Sequence, residues 1–129
     1  MGRILVVDDD ADTLLFMQEA LSAFGHDVTG AVSCFEALDF LAESRVDLII
    51  LDLHMPDFTG LDFLACIRKS HGDLPIIICS GYPSLRDHYR VWTSHVAAFV
   101  HKPVDPEILA REVAQVLEQA RSTGDEPAQ

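Results

Sequence analysis

Five short apolar runs, continuous rather than alternating and separated by amphipathic stretches, predict an open, doubly wound α/β fold. Continuous apolar runs mark strands covered on both faces, and the amphipathic stretches supply the helices that cover them. Short connections and right-handed crossovers make the sheet parallel. At 129 residues the chain is long enough for one such domain with a real core.

The elements follow in order. Ile4–Val7 is the first strand. Residues 11–24 place Leu14, Leu15, Met17, Leu21 and Phe24 broadly on one side of a helix, and Gly25 suits the stop after it. A weaker strand covers Asp27–Ala31. Ser33-Cys34-Phe35-Glu36 reads as a capping box opening a helix to about residue 43. Val46–Leu51 is the third strand, and a helix runs from Thr59 or Gly60 to Ser70. Pro75–Cys79 is the fourth strand. A helix from Ser84 to about Ser94 follows, in Tyr, Trp, Thr and Ser, which are mediocre helix formers. Ala97–Val100 is the fifth strand. Asp105-Pro106 then supplies an N-cap and an N1 proline for the last helix, whose Leu109, Val113, Val116, Leu117 and Ala120 share a face. The rhythm is βα repeated five times, and the flavodoxin-like strand order 2-1-3-4-5 is one common solution. Residues 1–121 form the domain. Residues 122–129 read as a flexible C-terminal tail or the start of a linker.

Charge narrows the function. The net charge is −12, from 21 acids against 9 bases. Residues 1–50 carry ten acids against Arg3 and Arg45, a local balance of −8. Such a surface repels nucleic acid and anionic membrane, so direct binding to either is not expected. No apolar run is long enough for a membrane span, and acid follows the first apolar run too soon for a secretory signal. Cys34, Cys66 and Cys79 form no CxxC pair and read as reduced thiols of a cytoplasmic protein; the six histidines show no metal-ligand spacing.

In open α/β sheets, sites form beyond the carboxyl ends of the strands. Those ends carry Asp8-Asp9-Asp10, Asp52, Ser80-Gly81 and Lys102-Pro103. A polar residue at one strand end is usually just a loop residue. Acids, a hydroxyl and an ammonium arriving together are much harder to dismiss. Adjacent carboxylates repel by about 1 kcal/mol at 4 Å in water and several-fold more near a protein surface. A hard cation relieves this, and Mg²⁺ takes few protein carboxylates while binding substrate phosphate. Lys102 adds a compact positive charge and Ser80 a hydrogen-bond donor for an oxyanion. These parts suit phosphoryl chemistry, in which an aspartate can itself be the nucleophile.

The combination ILVVDDD, LIILDLHMPDFTG, IIICSG and AFVHKP resembles the receiver domain of two-component response regulators, in order and spacing, over nearly the whole chain. The resemblance implies that Asp52 accepts the phosphoryl group. It implies that Asp8 and Asp9 hold Mg²⁺ (or Mn²⁺), Asp9 directly and Asp8 largely through water, with Asp52 and the backbone carbonyl of His54 completing the protein ligands. Ser80 matches the switch hydroxyl, and Lys102 the lysine that pairs with a phosphoryl oxygen, in a cis Lys102-Pro103 peptide. Phe99 matches an aromatic that turns inward on activation. His54 and Tyr82 occupy positions through which the family tunes phosphoryl lifetime. The donor is a sensor histidine kinase or a histidine phosphotransfer protein, and the switched face regulates a downstream effector or output domain. Such a domain catalyses its own phosphorylation and dephosphorylation without being a conventional enzyme. No output domain follows residue 121, which fits either a stand-alone receiver or one cut from a longer regulator.

Several residues have plainer readings. Asp10 either supports the acidic pair or is simply an acid at the helix N-terminus, and Asp12 is a first-turn acid favoured by the helix dipole. Asp57 and Thr59 read as turn and cap residues, and Gly60 serves backbone geometry. His101 is incidental to catalysis. Phe99 can also be an ordinary strand aromatic. Tyr89 and Trp92 pack against the sheet or, as a sharper alternative, anchor a partner. The enzyme-class rival is a haloacid-dehalogenase-like phosphatase, whose Asp-x-Asp-x-Thr/Val signature fails at Asp12. The remaining rival is a receiver-like module that binds partners without phosphorylation.

Overall fold

The apolar run that opens the chain becomes β1 (Arg3–Val7), a strand with neighbours on both sides. A computed structural model of the protein describes residues 2–52, 60–81 and 96–125. Within them, β1 pairs in parallel with β2 (Asp27–Ala31) and β3 (Leu48–Leu51), β3 with β4 (Ile76–Ser80), and β4 with β5 (Ala98–His101). The order is β2-β1-β3-β4-β5, as expected from the sequence. The described helices are α1 (Ala11–Ser22), α2 (Cys34–Glu43), α3 (Gly60–Ser70) and α4 (Pro106–Asp125). The helix expected over 84–94 lies outside the described residues, together with Tyr89 and Trp92.

Period-two alternation sorts the strand side chains into two cores. Leu5, Val7, Ile49, Leu51, Ile76 and Ile78 point to one face, against Cys34, Ala37 and Leu41 of α2 and Phe63, Leu64 and Ile67 of α3. Ile4, Val6, Leu48, Ile50, Ile77, Cys79 and Val100 point to the other, against Leu14, Met17 and Leu21 of α1 and Leu109, Val113, Val116 and Leu117 of α4. This is why the strands read as unbroken apolar runs. No helix among the described residues is long and apolar enough to cross a membrane.

Helix ends are made as their sequences suggest. Asp10 caps α1, accepting from the Asp12 N–H at 3.1 Å and the Thr13 hydroxyl at 2.8 Å. At the other end Gly25 takes φ +91°, the Gly25 N–H donates to the Ser22 carbonyl and the His26 N–H to the Leu21 carbonyl. That is the bond pair of a Schellman motif, which favours glycine at the left-handed position. Asp105 caps α4 by accepting from the Glu107 and Ile108 N–H groups. Ser33 accepts from the Glu36 N–H, but Glu36 reaches back to the Val32 N–H rather than to that of Ser33.

Further details differ from the sequence reading, and α4 continues to Asp125, past residue 121, where a tail was expected to begin. Leu15 and Phe24 are exposed by 56% and 57% rather than sharing the buried face of α1. Leu15 stands about 100° around the helix from Leu14, and Phe24 lies beyond the last helical residue. Ala120 is exposed on α4. β3 begins at Leu48 rather than Val46, because the Asp47 N–H and carboxylate both turn to the backbone of Arg3.

Candidate functional site

Each strand that the sheet stacks in parallel ends at the same edge, so residues distant in sequence meet there by topology. The β1 and β3 ladders extend one residue past the strands. The Asp8 N–H donates to the Ala31 carbonyl and the Asp52 N–H to the Val7 carbonyl, both at 3.0 Å. These bonds fix where the two aspartates leave the sheet. The Lys102 N–H donates to the Ser80 carbonyl at 2.9 Å and does the same for the end of β5.

The side chains converge. Lys102 Nζ donates to Asp8 Oδ2 at 2.7 Å and to Asp52 Oδ2 at 3.1 Å, so one ammonium bridges carboxylates 44 positions apart in sequence. Asp8 is 2% exposed, Asp52 7% and Ser80 0%. Burying like charges this far is costly without a counter-charge, and Lys102 supplies one. Burial pulls the Lys102 pKa down, but the hydrogen bond to Asp8 and the charges of Asp52 and Asp8 outweigh it, and the net shift is upward. The ammonium is therefore fixed in its charged form across the physiological range.

Asp9 stands exposed at the rim. It, Asp8 and Asp52 each offer a carboxylate oxygen, all within 4.8 Å of one another. Adjacent ligands of an octahedral Mg²⁺ lie about 3 Å apart and opposite ones about 4.2 Å, so the three oxygens would have to draw together by side-chain rotation to close on such an ion. An all-carboxylate donor set suits Mg²⁺ or Mn²⁺ and disfavours zinc.

Asp10 is placed apart from this group. Its N–H donates to Asp8 Oδ1 at 3.0 Å, while its own carboxylate is turned into α1. The Thr13 hydroxyl and the Asp12 N–H hold the Asp10 carboxyl below its ordinary pKa. Cys79 lies buried beneath the edge, where burial pushes its thiol up to about 12, and it stays protonated. His54, Asp57, Thr59 and Tyr82 lie outside the described residues.

Two features escaped the sequence reading. A crevice of about 380 Å³ runs beside Lys102, between Asp12, Thr13 and Phe16 of α1 and Pro103-Val104. Phe16, an exposed aromatic in the middle of α1, was its only local signal. The other is His101, whose ring lies 5.7 Å from that of Phe99, with the planes inclined at 52°. Alternation along β5 puts the two on one face, so their contact was legible in principle.

Known proteins resemble this chain in sequence and in fold. The family model for the response regulator receiver domain matches residues 4–114. The transcriptional regulatory protein GlrR of Escherichia coli (strain K12) is 34% identical over 125 residues, which are 97% of this chain and 28% of the relative. The transcriptional regulatory protein PrrA of Mycobacterium tuberculosis is 34% identical over 122 residues, covering 95% of this chain and 51% of the relative. The chain thus spans between about a quarter and about half of these curated relatives. Among solved structures, a CheY-like response regulator receiver domain protein from Methanospirillum hungatei JF-1 superposes with a TM-score of 0.90 at 27% identity, covering 95% of this chain and 98% of that one. The response regulator TrrA from Thermotoga maritima, solved in complex with Mg²⁺-BeF, gives 0.83 at 32% identity over 90% and 99% of the two chains. With five parallel strands in the order β2-β1-β3-β4-β5 and the receiver-domain model matching residues 4–114, this chain belongs to the receiver domains of two-component response regulators.

Proposed function

We propose that the chain is a phosphorylation-dependent signalling switch that accepts a phosphoryl group on Asp52 from a phosphohistidine donor. The single observation that carries the reading is the Lys102 ammonium held between the buried carboxylates of Asp8 and Asp52. A carboxylate at 7% exposure beside a fixed cation is shielded from bulk water yet open to one incoming group. In the reaction an Asp52 oxygen attacks phosphorus, the P–O bond forms, and the P–N bond breaks with its electron pair going to the donor imidazole. Lys102 and the Ser80 hydroxyl neutralise and orient the phosphoryl oxygens. Asp8 and Asp9 would hold Mg²⁺ with Asp52 and the His54 carbonyl, and the cation would neutralise charge on the transferring group. The relative captured with Mg²⁺-BeF supports that choice of ion.

The donor is a sensor histidine kinase or a histidine phosphotransfer protein, whose surface could seat an apolar side chain in the crevice beside Lys102. Acyl phosphate on Asp52 then biases the face around Ser80 and Phe99 between two arrangements read by an output partner. His54 and Tyr82 screen the acyl phosphate from water. The switch works in the cytoplasm, and the net charge of −12 supports a domain that makes no direct contact with nucleic acid. Incubation with acetyl phosphate and Mg²⁺, read by intact mass, tests the reading. One labile phosphate is expected, lost in Asp52→Asn and with EDTA. Turnover of an added phosphomonoester that depends on Asp8 would favour a phosphatase, and no label under any condition would favour an inert binding module.

A further inference from the structure

The end of β4 and the adjoining part of β5 carry a row of three groups, of which His101 has no part in the phosphoryl chemistry. In the β4/β5 ladder Ser80 is the register partner of His101, and Ile78 that of Phe99. Register partners in a parallel pair send their side chains to the same face, and residues two apart on one strand share that face too. Ile78 lies in the core shared with α2 and α3, and Phe99 packs against that same core. Ser80, His101 and Phe99 are therefore one continuous row. The His101 imidazole sits beside Ser80 across the ladder and within contact of the Phe99 ring along the strand.

The contact has the dimensions of a working aromatic pair. A centroid separation of 5.7 Å with planes inclined at 52° falls in the range where ring edges meet ring faces favourably. Phe99 is only half buried and His101 is exposed, so neither ring is fixed by enclosure alone. On the opposite face of β5, Val100 is buried and Ala98 packs against the second core, which leaves the strand backbone anchored while the row can rearrange.

We propose that His101 is a positioning residue that latches Phe99 in its resting orientation and sets how far the Phe99 ring is already displaced before phosphorylation. This rests on the reading of Phe99 as the switching aromatic and deepens it. The latch is steric and aromatic. With the imidazole in place, the Phe99 ring leans on it. With the imidazole removed, the ring loses its partner and shifts toward the orientation that phosphorylation selects. An aromatic contact of this kind is worth about a two- to tenfold shift in a two-state population.

The test uses the full chain with the Phe99 ring labelled for NMR, in the wild type, His101→Ala and His101→Phe, each before and after acetyl phosphate and Mg²⁺. Intact mass gives the level of label in each sample. In unphosphorylated His101→Ala, the Phe99 resonances move toward their positions in the phosphorylated wild type. Acetyl phosphate also labels that variant about two- to tenfold faster. His101→Phe, which keeps a ring there, stays close to wild type in both respects. The proposal falls if His101→Ala leaves the Phe99 resonances unchanged, or if His101→Phe moves them as much as alanine does. A wild type that takes label without any Phe99 response overturns the latch but leaves Asp52 as acceptor. A wild type that takes no label overturns both.

Discussion

The two ends of the sheet are built from the same kinds of residue to opposite effect. At the amino edge, the Asp47 carboxylate accepts from the Arg3 N–H at 2.9 Å, the Gly2 N–H donates to His26 Nδ1 at 3.1 Å, and Arg3 pairs with Asp27 at 3.6 Å. Each acid or imidazole there answers a donor, and the arrangement ties elements together. At the carboxyl edge three acids crowd one lysine, two of them buried, and charge of one sign is left in excess. Polar groups at the first edge serve the fold. Those at the second are held by the fold for something else.

The comparison can be broken by removing charge at either end. Lys102→Ala should have the largest effect, because it strips the counter-charge from two buried carboxylates. Thermal or urea unfolding in EDTA should show a loss of about 3 kcal/mol, the low end for a broken buried pair since Lys102 is partly exposed. Added Mg²⁺ should recover part of it, and labelling by acetyl phosphate should fall sharply. A variant as stable as wild type in EDTA would mean the carboxylates need no counter-charge. Asp52→Asn is the contrasting case: it removes a like charge while keeping the Asp8–Lys102 pair, so stability should hold or rise although labelling is lost.

At the amino edge, Asp47→Ala should lower stability by about 1 kcal/mol, the worth of one hydrogen bond, with labelling retained. A loss of label in that variant would erase the distinction between the edges. The smallest effect is a pH dependence at His26. Burial pulls its pKa below 6.5, and its Nδ1 must be unprotonated to accept from Gly2. The unfolded chain therefore takes up the proton first as pH falls. The stability contributed by neutral His26 is full above about pH 7 and is lost as pH falls through about 6.5 toward the lower folded value. Melting curves of wild type and His26→Gln should converge as the pH drops, and a constant gap would exclude the linkage.

Much of this was legible in the sequence for identifiable reasons. Strands covered on both faces must be apolar at every position, so Ile4–Val7 and Ile76–Cys79 announce themselves. Caps are local, so Asp10, Gly25, Ser33 and Asp105 could be read within four residues. What was not legible depends on the third dimension. Arg68, near the end of α3, donates through Nη1 to the carbonyls of Gly72 and Leu74 at 3.0 and 2.7 Å and stitches that helix to the start of β4. Its only sequence signal was a basic side chain in a last helical turn. His26 acquires a role only because β1 and β2 are neighbours. In the site, the grouping of Asp8, Asp52, Ser80 and Lys102 followed from strand-end topology. The division between Asp8 and Asp10 was also legible, because the acid that opens a helix is a local feature, whereas alternation could place His101 and Phe99 on one face but not give the tilt and separation of their rings.

The hydrogen bonds from Asp8 and Asp52 to the carbonyls of Ala31 and Val7 also set a ruler. Adjacent parallel strands stand about 4.8 Å apart because an amide-to-carbonyl bond has one comfortable length. Asp8 and Asp52 are mounted on neighbouring strands at their last rungs, so the spacing of their roots is inherited from the backbone and is indifferent to the side chains around it. Substitutions in the surrounding loops can therefore retune electrostatics, access and lifetime without altering the gauge of the anionic seat. Changing that gauge would require breaking the ladder itself.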